Sequence, residues 1–266
     1  MEGSAPAVLF VGDLDDPCVR GIAEALPQGT ARLHCGGDLP EAWPARALAA
    51  RAVVAHRAIL TNADVEALRR LRDRPGPAAR IVLCVGPHAR FHQVERAAAL
   101  ADVVLPEATA SETVARHLDG AEDRPTSDAP RPRVTILSEN YELRQVLAES
   151  CRRAGYPVVP ARDWDEAPAT PLAAWDVPVL EEGWAERLGE QARGRAVVAL
   201  MGFADRETVA KAREAGAAAC LDLPCDPADL AFVLDRLALA VASPRLIAEP
   251  AHDAPPAPAL LRHPGR

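Results

Sequence analysis

Short aliphatic runs alternate along this chain with longer stretches whose apolar positions recur every three or four residues. Val8-Leu9-Phe10-Val11 ends in the polar turn Gly12-Asp13 and is followed by a helical spacing through Val19, Ile22, Ala23 and Leu26. The same arrangement returns at Val134-Thr135-Ile136-Leu137, which ends in Ser138-Glu139 and leads into Leu143, Val146, Leu147 and Cys151. Period-2 or continuously apolar runs predict strands, and the 3.6-residue period predicts amphipathic helices. The late part of each unit matches more closely. Ile81-Val82-Leu83-Cys84-Val85-Gly86 leads through a helix to Ala101-Asp102-Val103-Val104-Leu105-Pro106, and Val197-Val198-Ala199-Leu200-Met201-Gly202 leads to Ala219-Cys220-Leu221-Asp222-Leu223-Pro224. A capped helix follows each Leu-Pro, with Asp226 before Pro227 reading as N-cap and first helical residue.

The predicted strands of the first unit are 7–11, 31–35, 52–55, 80–85 and 102–105. Those of the second are 133–137, 157–159, 177–180, 196–201 and 219–222. Aliphatic strands alternating with amphipathic helices imply a parallel sheet covered on both faces. Five strands per unit, opening with a strand, predict the α/β, flavodoxin-like doubly wound layout twice in tandem, with the functional crevice at the carboxyl ends of the strands. The expected boundaries are 6–119 for the first domain and 133–242 for the second, with a polar, proline-rich linker at 120–132. The segment 243–266 carries Pro244, Pro250, Pro255, Pro256, Pro258 and Pro264. That composition predicts a disordered tail.

Composition narrows the function. The chain has 266 residues and a formal net charge of −8, and no basic block, so direct nucleic-acid binding is not expected. Of 30 basic residues only Lys211 is lysine, the rest being arginine. Six cysteines show no C-x-x-C pair and read as reduced thiols rather than a disulfide or zinc framework. The start Met1-Glu2-Gly3-Ser4 lacks a basic and apolar leader and no run is long enough to span a bilayer, which predicts a cytoplasmic protein away from membranes. Glycine-rich phosphate loops, a Gly-x-Ser-x-Gly elbow and His-Glu-x-x-His do not occur in the sequence.

The strand-one turns, Gly86 and Gly202 after strand four, the two Leu-Pro turns and the stretch from Glu207 to Leu221 carry a resemblance to the receiver domains of bacterial response regulators, in two CheY-like copies. In that family acidic residues ending strand one hold Mg²⁺, an aspartate ending strand three accepts a phosphoryl group, and a Ser/Thr after strand four and a lysine after strand five read the phosphate. The resemblance puts the acidic pair at Gly12-Asp13 and Ser138-Glu139, so Asp13 and Glu139 are what remains of it. The phosphoacceptor positions fall at His56 and Glu181. The hydroxyl positions fall at Cys84 or Val85 and at Leu200 or Met201, and the lysine positions at Leu105 and Leu223. With those groups replaced, both units are expected to be degenerate receivers that catalyse nothing and need no cofactor. The family's Lys-Pro turn also implies cis peptides at Leu105-Pro106 and Leu223-Pro224.

The implied activity is signal transduction through protein–protein contact, by self-association or by packing of the two units through the helix-four, strand-five, helix-five faces, roughly 90–118 and 206–240. Two alternatives stay open. One is an atypical phosphorylatable regulator using Glu181, Asp176 or His56. The other is a small-molecule or enzymatic module using the strand-end crevice, with Asp13, His56 and His88 converging. Several residues carry sharper readings beside plain ones. Glu181 is either a built-in phosphate mimic, which needs a cationic partner, or an acid at a helix start. Asp13, Asp15 and Asp16 either bind Mg²⁺ weakly or form a turn and an N-cap. Cys84, His88 and His92 follow C-x₃-H-x₃-H spacing, with His56 near, and either bind a transition metal or are unrelated. Trp164, Trp175 and Trp184, with Trp43 in the first unit, either mark a partner surface or pack a shortened second helix around Pro168 and Pro171.

Overall fold

In the computed structural model the described residues are 7–74, 78–118, 130–202 and 204–242. The first unit runs β1 (Val8–Gly12), α1 (Pro17–Glu24), β2 (Ala31–His34), α2 (Ala45–Ala49), β3 (Ala52–Arg57), α3 (Asn62–Arg72), β4 (Arg80–Val85), α4 (Phe91–Ala98), β5 (Val103–Pro106) and α5 (Glu107–Thr113), with a 3-10 turn at Val114–His117. The second runs β6 (Val134–Leu137), α6 (Tyr141–Arg153), β7 (Val158–Ala161), β8 (Leu172–Asp176), α7 (Trp184–Ala192), β9 (Ala196–Gly202), α8 (Arg206–Glu214), β10 (Ala219–Leu223) and α9 (Pro227–Ala242). All strand pairs are parallel, in the orders β2-β1-β3-β4-β5 and β7-β6-β8-β9-β10. Both orders read 2-1-3-4-5 within their unit, the flavodoxin-like, CheY-like doubly wound arrangement.

Alternation along the strands builds two cores per unit. Leu9, Val11, Val53, Ala55, Ile81 and Leu83 face α3 and α4, while Val8, Phe10, Val54, Val82 and Cys84 face α1 and α5. In the second unit Ala173, Trp175, Val197, Ala199 and Met201 pack under α7 and α8, and Ile136, Leu172, Ala174, Val198 and Leu200 under α6 and α9. Burial on both faces is why these strands read as unbroken apolar runs. The helix starts follow local chemistry: Asp16 caps α1 ahead of Pro17, Thr61 and Asp64 form a capping box on α3, and Asn140 and Asp205 cap α6 and α8.

Three expectations need correction. The third strand of the second unit is β8, Leu172–Asp176, and not 177–180. Pro178 cannot donate to a central ladder, and Leu180 is 99% exposed, so the Val-Pro-Val-Leu run lies beyond the sheet. No helix stands between β7 and β8, where residues 162–171 form turns and coil. Of the two Leu-Pro bonds only Leu223-Pro224 is cis. The proposed tail at 243–266 and most of the linker lie outside the described residues.

The two units pack through α5. It lies against α8, β10 and α9, and Ala108 is part of the core beneath α8, with Val209, Ala212 and Cys220. Ion pairs frame this contact: Arg213 with Glu112 at 2.9 Å, and Arg116 with Asp226 and Asp229, each at 2.5 Å. His117 Nε2 lies 3.0 Å from Asp229 Oδ1.

Candidate functional site

The strand ends of the first unit are closed by a four-residue network that spans both units. Gly12 ends β1, and a Cβ there would lie 2.9 Å from Val19 Cγ1 and 3.1 Å from His56 Cβ. Glycine in place of an acid is therefore what lets the His56 ring sit at this point. His56, on β3, is buried, and its Nε2–H donates to Glu107 Oε2 at 2.7 Å. Glu107 is the first residue of α5 and is itself 3% exposed. From the second unit Arg206, the first residue of α8, donates from Nε to Glu107 Oε1 at 2.6 Å and from Nη2 to Oε2 at 2.9 Å. Its Nη1 reaches Asp16 Oδ2 at 2.7 Å. This is a fork-on-carboxylate pair, the geometry for which guanidinium is suited and ammonium is not.

The electrostatics follow from this geometry. Burial alone would raise the Glu107 pKa, but the hydrogen bonds from His56 and Arg206, and the charge of Arg206, outweigh it and hold the carboxyl at about 2. Burial likewise pulls Asp16 upward, and Arg206 with the Cys18 amide overcomes it. The hydrogen bond to Glu107 is the largest influence raising the Arg206 pKa. The network carries a buried anion at the place where the sequence resemblance puts a phosphoacceptor, together with the cation that neutralises it.

Other sequence candidates of the first unit fall apart from this network. Asp16 belongs to it, but Asp13 and Asp15 instead gather with His34, with ligand atoms within 4.8 Å of one another. His34 Nδ1 accepts the Leu14 N–H at 3.2 Å, which uses the lone pair a metal would need on that nitrogen. Cys84 is fully buried, and burial pushes its thiol up to about 12. His88 and His92 are exposed, and α4 begins only at Phe91, so the two do not share a helix face. The C-x₃-H-x₃-H reading is thus overturned: its cysteine points into the core. Leu105, at the lysine position, is buried, and Val85 and Cys84 offer no hydroxyl.

The second unit presents a different mouth. Val11 pairs with Ala55 and Leu137 with Trp175, so the residues one step further along β3 and β8 are His56 and Asp176. The neighbouring pairs agree: His56 lies opposite Cys84 and Asp176 opposite Leu200. In register the residue of the second unit that corresponds to His56 is therefore Asp176, and Glu181 lies beyond the strand. Ser138 Oγ donates to Asp176 Oδ2 at 2.7 Å, and Glu139 follows it at the rim. Glu181 lies five residues past the strand, exposed and paired with Arg187 at 2.8 Å. A cavity of about 500 Å³ opens here, lined among others by Glu139, Arg162, Trp164, Trp175, Asp176 and Arg187. Trp164 meets Trp175 edge-to-face at 5.4 Å, so those tryptophans form a wall of the crevice. Trp43 and Trp184 are buried packing residues, the first donating from Nε1 to Ala67 O at 2.8 Å. Lys211 lies 5.1 Å over the Trp184 ring, and Met201, Leu200 and Leu223 occupy the hydroxyl and lysine positions. In register, however, Leu105 corresponds to Leu221, so the Leu-Pro bond of the second unit falls two residues further along its strand.

Sequence reasoning missed Glu107 and Arg206 as site residues. The available signal for Glu107 was an acid directly after the strand-five proline. Nothing local marks Arg206, because its partners are 99 and 190 residues away.

No family model matches the chain, and no curated protein does. Among solved structures it is similar to a pilus assembly-related protein from Burkholderia pseudomallei K96243, with 20% identity, a TM-score of 0.40 and coverage of 44% of this chain and 96% of that one. The pilus assembly protein cpaE of Burkholderia thailandensis E264 is similar at 22% identity and a TM-score of 0.37, covering 40% and 98%. The chemotaxis response regulator CheY4 of Vibrio cholerae is similar at 21% identity and 0.35, also covering 40% and 98%. What the chain shares with them is a receiver-like fold.

Proposed function

We propose that this protein is a signalling module that acts through protein–protein contact and whose first unit works without phosphorylation. One observation carries the reading: the strand-end position of the first unit holds His56 bound to the protein's own carboxylate, Glu107, at 2.7 Å. The positions that would read a phosphate support it, being filled by Leu105, Val85, Met201 and Leu223. Lys211, the single lysine, lies on α8 against Trp184. None of Leu105, Val85, Met201 and Leu223 supplies a cation or a hydroxyl to a transferred phosphoryl group. The α8, β10 and α9 face is engaged by α5 within the chain, so partners would meet other surfaces.

A second reading is favoured by one residue. Asp176 ends β8 in an open crevice beside Glu139, and a carboxylate there is the chemical group a phosphodonor needs. Intact-mass spectrometry with Mg²⁺ and acetyl phosphate, paired with light scattering, separates the two. The adaptor reading expects no phosphoryl adduct and an unchanged mass in solution. An adduct abolished by Asp176→Asn replaces it with a phosphorylation switch in the second unit.

A further inference from the structure

We propose that Arg206 is an intramolecular latch: it keeps the mouth of the first unit shut, and Ala204 and Asp205, which lead into α8, set whether it does so. The geometry carries two links. The first is the plug itself. Arg206 donates to both oxygens of Glu107 and to Asp16, so it bridges the start of α5 and the start of α1 over His56. No other cation has a hydrogen bond to Glu107 or Asp16 among the described residues. Other inter-unit pairs, among them Arg213 with Glu112 and Arg116 with Asp226 and Asp229, include neither His56, Glu107 nor Asp16.

The second link is to the second unit's own strand ends. Arg206 opens α8 directly after its N-cap Asp205, whose side chain accepts the Thr208 N–H at 2.8 Å. Ala204 ties this start to β10, its N–H donating to Asp222 Oδ1 at 2.7 Å. Arg206 thus joins the start of α8, held to β10 through Ala204, to the mouth of the first unit. A shift of Ala204 and Asp205 moves the guanidinium, and the two carboxylates it bridges lose their common cation. Since Glu107 is 3% exposed, it cannot exchange Arg206 for water without opening the mouth. The latch does not depend on whether Asp176 accepts a phosphoryl group, because its parts are present before any input.

The test is residue-resolved labelling of histidine by diethyl pyrocarbonate on the full chain, read by peptide mass spectrometry, with exposed His88 as the internal standard and no phosphodonor present. In the parent protein His56 labels slowly. Arg206→Ala is expected to raise the His56 rate at least about tenfold, the loss of a charge-assisted pair being worth that much in opening. Arg213→Ala, which removes an inter-unit pair that includes neither His56, Glu107 nor Asp16, is expected to change it less than about twofold. Asp205→Ala, which removes the cap that orients the first turn of α8, is expected to raise it about fivefold. Circular dichroism establishes that each variant is folded. If Arg206→Ala does not fold, the comparison of Asp205→Ala with Arg213→Ala decides. Equal labelling in the parent and Asp205→Ala overturns the link to Ala204 and Asp205, and unchanged labelling in folded Arg206→Ala overturns the latch. Equal acceleration by Arg206→Ala and Arg213→Ala also overturns it, since His56 is then protected by unit packing in general.

Discussion

The two strand-end mouths of this protein are built on the same strand order and end in opposite states. In the first, β5 stops at Pro106 and α5 begins at the next residue, so Glu107 is delivered back over His56. In the second, β10 runs one residue further in register, to Leu223, and Pro224, Cys225 and Asp226 intervene before α9 begins at Pro227. Among the described residues no carboxylate of α9 hydrogen-bonds at Asp176, and a crevice of about 500 Å³ remains there. The junction between the last strand and the last helix decides which mouth is filled by the chain itself. The two units thus share a strand order and differ in what the chain places over the strand ends.

Removing the carboxylate that makes the difference has the largest expected effect. Glu107→Ala leaves His56 and Arg206 without their shared acceptor and is expected to destabilise the folded protein by about 4 kcal/mol, read as a lowered urea midpoint at pH 7. The pH dependence has a definite sign. The folded-state pKa of Glu107 is depressed from 4.5 to about 2. Its stabilisation is therefore complete above about pH 4.5 and is lost as the pH falls toward 2, a contribution of roughly 3 kcal/mol. Parent and variant are expected to converge in urea titrations across that window. A gap that stays constant with pH assigns the loss to packing and not to charge.

The second unit's third strand gives the next largest contrast, and it also shows how far the sequence could be read. Leu172→Ala removes a fully buried side chain and is expected to cost about 3 kcal/mol. Leu180→Ala, in the segment the pattern favours as a strand, is expected to stay within about 0.5 kcal/mol. The misassignment has a physical cause. Ala173 and Ala174 are weak hydrophobic signals although both are fully buried, while Val177, Val179 and Leu180 are strong signals in a turn. The other nine predicted strands overlap observed ones, because Val, Ile and Leu buried on both faces leave an unmistakable record. The candidate site was less legible. Counting along the strand reaches His56 in the first unit, whereas a strand set at 177–180 shifts the same count in the second from Asp176 to Glu181. The Glu107–Arg206 pair joins residues that no local pattern relates.

The two glycines after the fourth strand of each unit look alike in sequence and differ in consequence. A Cβ at Gly86 would lie 2.7 Å from Ala58 O and 2.8 Å from Ala58 Cα, because the turn after β3 crosses directly over the end of β4. At Gly202 nothing lies within 4 Å. Gly86→Ala is expected to cost about 2 kcal/mol by forcing backbone apart, against less than about 0.5 kcal/mol for Gly202→Ala, both read by thermal melting. Equal costs would mean that the first unit's mouth is no more tightly closed than the second's.

The smallest expected effect tests Glu181, the residue that sequence reasoning placed at the phosphoacceptor position. A phosphate mimic would have to be buried against a cation, and burial against Arg206 is what the structure gives Glu107. Glu181 is exposed, and its partner Arg187 is 43% exposed at 2.8 Å. Both charges keep most of their hydration, so salt screens the pair and its strength is that of an ordinary surface ion pair. Glu181→Gln is expected to shift stability by no more than about 0.5 kcal/mol and to leave the mass in solution unchanged by light scattering. A larger shift, persisting at high salt, would make Glu181 as strongly held as Glu107, and the asymmetry between the two mouths would be one of position alone.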